Sequence, residues 1–94
     1  MSIRLLVEEA HQYALDQGFW GASDNIGEKL ALIHSEVSEA LEAYREDKPL
    51  GEELADVMIR VADLAGWLGI DLERAINEKM AFNATRPYLH GKKV

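Results

Sequence analysis

The sequence predicts an all-α protein, a four-helix bundle-like domain spanning residues 1–94 as one unit. Apolar residues recur at steps of three and four along most of the chain, and capping and stop residues divide it into four such stretches. No stretch shows the strict apolar-polar alternation of a half-buried strand.

The first stretch runs from Ile3 to about Gln17, with Ile3, Leu6, Val7, Ala10 and Ala14 on one face, Ser2 as N-cap and Gly18 as terminator. Phe19-Trp20-Gly21-Ala22-Ser23-Asp24 breaks the pattern, and its two adjacent aromatics are placed to cover a pocket or plug the end of a bundle. A second helix is expected from about Asn25 to Glu46, carrying Leu30, Ile33, Val37, Ala40, Leu41 and Tyr44. Lys48-Pro49 separates it from a third, since proline suits a first helical turn and disfavours helix before it. That helix continues to about Leu68, with Leu54, Val57, Met58, Val61, Leu64, Ala65 and Leu68 as its core face. Gly69 ends it, Asp71 caps a fourth carrying Leu72, Ala75, Ile76, Met80 and Phe82, and Arg86-Pro87 stops that one before a short basic tail.

With 48 % hydrophobic residues, two prolines and a formal charge of −7, the chain is too apolar for disorder and too acidic for a default nucleic-acid binder. Without cysteine it has neither a disulfide framework nor a thiolate metal site. No leader and no apolar run of about 20 residues is present, so a cytoplasmic protein with no membrane partner is expected. Its third helix looks apolar enough to need more cover than one chain supplies, which points to a homodimer or homotetramer.

Two acidic spacings carry the chemistry: Glu36-x-x-Glu39 on the second helix and Glu53-x-x-Asp56 on the third. Residues three apart share a helix face, so two antiparallel helices can turn all four carboxylates toward one groove. Both pairs border the apolar stripe of their helix, whereas purely solvating acids belong mainly on the far side. Four carboxylates sharing one groove require a cation, and oxygen-only ligation selects Mg²⁺, with Mn²⁺ as substitute. The chain has no Asp-x-Asp-x-Asp-Gly calcium loop, and no histidine follows either pair at the offset di-iron bundles use. Such a cluster is most useful where negative charge develops on phosphate oxygens, so hydrolysis of a phosphate ester or anhydride is the leading chemistry. A Gly-rich loop ending in Lys-Ser/Thr is absent from the sequence. Basic residues gather instead toward the C-terminus, at Lys79, Arg86, Lys92 and Lys93, as a candidate anion contact.

Glu36-Val-Ser-Glu39-Ala-Leu-Glu, Glu53-Leu-Ala-Asp56-Val and Leu68-Gly-Ile-Asp71 with a final helix behind it resemble the MazG-like all-α nucleoside triphosphate pyrophosphohydrolases over nearly the whole chain. The resemblance implies Mg²⁺-dependent, house-cleaning hydrolysis of a nucleotide to its monophosphate and pyrophosphate, with Glu36, Glu39, Glu53 and Asp56 as catalytic metal ligands. One of the glutamates would instead orient or deprotonate the attacking water. It extends to the dCTP pyrophosphatase branch, whose helix 1 histidine and following tryptophan in the nucleotide pocket match His11 and Trp20. Lys79, Asn83 and Arg86 lie in a C-terminal run similar to that of the small members, where the last helix and tail help to close the substrate site. Asp63 continues the acidic row toward a ribose or metal-bound water, or pairs with Arg60. Arg60 departs from the branch, which tends to have an aromatic there, and leaves the base open. Phosphoribosyl-ATP pyrophosphohydrolase, which shares the fold and motifs, and a catalytically silent helical partner module are the competing expectations.

Overall fold

The computed structural model describes residues 1–21, 23–86, 88–89 and 92–93. Four helices follow one another, α1 (Ile3–Asp16), α2 (Ile26–Arg45), α3 (Gly51–Leu68) and α4 (Leu72–Thr85), so the all-α expectation holds. Beyond α4, Tyr88–Leu89 and Lys92–Lys93 (β1 and β2) form a two-residue antiparallel ladder, too short to leave an alternating pattern in the sequence.

Side-chain caps start three of the helices. Ser2, Asn25 and Asp71 accept from the backbone N–H groups of Leu5, Glu28 and Arg74 and so satisfy donors that the first turn leaves free. Asn25, expected inside the second helix, is its cap. The ends of α1, α2 and α3 share another device. Phe19 N–H bonds Ala14 O, Lys48 N–H bonds Ala43 O and Ile70 N–H bonds Ala65 O, each reaching back across a residue with positive φ. Glycine supplies that conformation at Gly18 and Gly69, but in α2 it is Asp47, at φ 59°. An aspartate tolerates the left-handed region at a cost of about 1 kcal/mol, and α2 ends at Arg45, one residue before the expected Glu46 and four ahead of Pro49.

α3 is the central helix, packed against α1 and α2, while α4 rests on α1. Small residues set the α1–α3 spacing: Ala10 and Ala14 meet a helix that contributes Ala62 and Ala65, all four buried. Gly66 stands so close to α1 that a methyl group there would lie 2.5 Å from His11 Cβ. Trp20, Leu64 and Ala14 form the buried centre, with Ile26 and Ile33 against it. Arg4 ties α1 to α4, its guanidinium 3.7 Å from Asp71 and 3.5 Å from Glu73.

Much of the expected apolar face of α2 and α3 stays open to solvent. Leu54 is 54 % exposed and Tyr44 69 %, and Val37, Leu41, Met58 and Leu68 are also exposed. The stripe on α3 is wider than the contact that α1 and α2 provide, and α4 packs on α1 instead of covering it. No helix among the described residues is long and apolar enough to cross a membrane.

Candidate metal and phosphate site

Glu36 on α2 and Glu53 and Asp56 on α3 each bring a carboxylate oxygen within 4.8 Å of the others. Contact between α2 and α3 creates this cluster, since neither helix alone places more than two of its members on one face. Opposed ligands of an octahedral Mg²⁺ lie about 4.2 Å apart, so shifts of under about 1 Å would bring all three oxygens around one ion. Hard oxygen donors, one of them largely withdrawn from water, fit that cation. Glu36 is the withdrawn one, its side chain only 12 % exposed.

Glu39 lies just outside this triangle. The negative charge of Glu36 holds the Glu39 carboxyl above the ordinary glutamate range, with removal from water, a hydrogen bond to Glu36 and the charges of Glu53 and Asp56 adding to the effect. Arg60 meets part of the negative charge, its Nε donating to Glu36 Oε1 at 2.7 Å. The sequence left Asp63 as a possible partner for this arginine, but the structure pairs Arg60 with Glu36.

Asp63 organises a second cluster. Trp20 Nε1 donates to both of its oxygens, at 2.9 and 3.1 Å, and His11 Nδ1 lies 2.9 Å from Oδ1. Trp20 stacks on Trp67 with centroids 4.2 Å apart and planes 3° from parallel, and the His11 ring stands edge-on to both indoles. The ammonium of Lys29 is 4.6 Å from the Trp20 ring centre. Trp67 leaves it no room on the stacked face, so it covers the other one. Lys29 also donates to Phe19 O and so anchors the loop that delivers Trp20. Trp20 is consequently 6 % exposed, with both faces covered and its N–H bonded.

Members of both clusters meet in one cleft of about 260 Å³, lined by Ala10, Tyr13, Phe19, Glu36, Glu39 and Asp56 with Arg60 and Asp63, while Glu53 borders a separate hollow with Glu39 and Lys48. A neighbouring hollow of about 330 Å³ is bounded by Gly18, Phe19, Lys29, Leu32 and Arg60, so Phe19 and Arg60 stand between the two spaces. A hollow of about 370 Å³ behind His11, between α1 and the α3–α4 turn, includes none of the four motif acids.

Lys79, Asn83 and Arg86 line none of these three spaces among the described residues. Lys79 and Arg86 instead lie over the Phe82 ring, and Asn83 Oδ1 is buried without a hydrogen-bond partner among the described residues. Pro87, His90 and Gly91 of the expected closing tail lie outside the described residues, as do the side chains of Lys92 and Lys93. Sequence reasoning missed Lys29, Gly66 and the structural part played by Trp67. One signal was present: Trp67 follows Asp63 by one helical turn, which puts both on the same face of α3.

No protein-family model matches the chain, and no solved structure matches it. The chain is similar to a dATP/dGTP diphosphohydrolase of Cyanophage S-2L, being 39 % identical over 62 residues, which are 66 % of this chain and 57 % of that protein. It thus spans little more than half the length of that relative.

Proposed function

We propose that this chain is a small MazG-like pyrophosphohydrolase that uses Mg²⁺ to hydrolyse deoxynucleoside triphosphates to monophosphate and pyrophosphate. The carrying observation is the meeting of Glu36, Glu53 and Asp56 within 4.8 Å across two helices. The name of the cyanophage relative supports the substrate class and puts purine deoxynucleotides first among the candidates.

In this reading Glu36, Glu53 and Asp56 hold the metal, and Glu39, beside Glu36, joins them or positions the attacking water. A bound Mg²⁺ would neutralise phosphate charge and lower the pKa of a coordinated water. The chain's own residues do the rest. Glu39, beside Glu36 and lining the same cleft, is placed to accept a proton from that water. Arg60 sits where a phosphate chain leaving the acids would pass. Asp63, fixed by His11 and Trp20, presents a rigid edge of the cleft. Exposed Val37, Leu41, Tyr44, Leu54 and Met58 support a homodimer or homotetramer, which sedimentation would distinguish from a monomer.

Incubation with deoxy- and ribonucleoside triphosphates, with Mg²⁺ or EDTA, tests the activity by separating monophosphate plus pyrophosphate from diphosphate plus phosphate. Metal-dependent pyrophosphate release is expected; none from any nucleotide refutes the proposal. Glu53→Gln and Asp56→Asn should lower kcat by more than about 100-fold, the upper end of what loss of even an outer-shell partner costs, with unchanged helicity.

A further inference from the structure

Arg60 borders both the acidic cleft and the neighbouring hollow. Its Nε is committed to Glu36 Oε1 at 2.7 Å, and its terminal nitrogens have no ion-pair partner among the described residues. The side chain is 40 % exposed while that of Glu36 is 12 % exposed, so the arginine caps the acid from the solvent side. In the neighbouring hollow Lys29 is a second cation. Arg60 lies one turn from Asp56 and two from Glu53 on α3, inside the acidic row.

A guanidinium 2.7 Å from one oxygen of Glu36 and a divalent ion held by Glu36, Glu53 and Asp56 want the same carboxylate. A magnesium ion about 2.1 Å from Glu36 Oε1 would stand less than about 5 Å from the arginine, and both cations would be poorly placed. The planar fork of arginine matches a phosphate as well as it matches a carboxylate.

Resting on the metal-dependent reading above, we propose that Arg60 is an exchangeable counter-ion, held by Glu36 when the metal is absent and released by metal to the phosphates of the substrate. Arg60 thereby competes with metal for Glu36 and rewards the arrival of substrate, which takes up the displaced charge. The metal-free cluster keeps one carboxylate neutralised, and the loaded site gains a phosphate clamp.

Mn²⁺ titration of the full chain, counting free ion by electron paramagnetic resonance, tests the competition. Arg60→Gln should bind Mn²⁺ about fivefold more tightly, the scale of a partly exposed ion pair. Its affinity for inorganic tripolyphosphate in the presence of Mn²⁺ should fall about tenfold, as expected on losing a charge-assisted bidentate contact. Lys29→Gln removes the same charge from the neighbouring hollow without touching Glu36 and should leave Mn²⁺ affinity within about twofold of the parent, as an exposed charge not in contact with the ion would. A structural prop would weaken metal binding when lost, so unchanged or weaker Mn²⁺ binding by Arg60→Gln overturns the proposal. Equal tightening in Lys29→Gln, or tripolyphosphate affinity that Arg60→Gln does not lower, overturns it too. In the unmodified protein the Arg60 Nε–H signal in ¹⁵N NMR should exchange slowly with water and speed up on adding Mg²⁺; a signal indifferent to saturating Mg²⁺ is again contrary. Pyrophosphate release without these Arg60 effects refutes the exchange alone. The effects without pyrophosphate release refute only the nucleotide-hydrolysing activity.

Discussion

Gly66→Ala sets helix propensity against interhelical packing, and the two predict opposite signs. Gly66 lies within α3, where alanine is favoured over glycine by about 1 kcal/mol. Its φ is not positive, so backbone conformation raises no objection. The obstacle is α1: the added methyl would lie 2.5 Å from His11 Cβ, 2.7 Å from Cγ and 3.1 Å from Cδ2. The nearest of these, Cβ, cannot swing aside, because it is fixed to the α1 backbone. Ordinary carbon contacts begin near about 3.5 Å, so α1 must retreat by about 1 Å. That movement would also stretch the 2.9 Å contact between His11 Nδ1 and Asp63. Overpacking at the severe end costs about 3 kcal/mol, which after the propensity gain leaves a net loss of about 2 kcal/mol. For a chain of this size the loss corresponds to a fall in Tm of about 8–16 °C. Thermal and urea unfolding followed by circular dichroism would measure it. Gly51→Ala is the control, on the first turn of the same helix with nothing within 4 Å of its added methyl, and it should leave stability unchanged or slightly higher. A Gly66→Ala protein as stable as the parent would refute the close approach of α1 and α3 at His11.

Asp63→Ala should cost about 3 kcal/mol in urea unfolding, because it strands the Trp20 indole N–H and His11 together, while Asp63→Asn, which can still accept from Trp20, should cost less. Glu39 carries a pH prediction: its folded carboxyl lies above the unfolded value, so the native state binds its proton more tightly and the metal-free protein loses stability as pH rises through that window. Unfolding in EDTA between about pH 4 and pH 7 should show a shallower decline for Glu39→Gln than for the parent, and identical slopes would contradict the assignment. Mg²⁺ should flatten the parent's decline, since the cation offsets the negative charge that raises the carboxyl.

The helices and their caps were legible because they depend on neighbours a few residues away. Ser2 and Asp71 as starts and Gly18 and Gly69 as stops are local choices of hydrogen bond and φ. Asp47 was harder to read, since aspartate visits the left-handed region only where the surrounding chain compels it. The acidic pairs stood out by spacing, and His11 and Trp20 by resemblance. The partners of these residues did not. Whether Arg60 takes Glu36 or Asp63 depends on the rotation and register of α3 against α2, and a helical wheel of α3 alone permits both.

The sequence by itself determined the four helices, their ends, and the fact that Glu36, Glu39, Glu53 and Asp56 border helix contacts, because periodicity and capping act within a few turns of one chain. Only the tertiary structure decided that three of those acids converge, that Arg60 neutralises one of them, and that Trp20 lies between Trp67 and Lys29 with its N–H on Asp63. The first two outcomes depend on the register of α2 against α3, and the third on how closely α1 approaches α3, a distance set by Ala10, Ala14, Ala62, Ala65 and Gly66, residues too small to announce in sequence what they allow to meet.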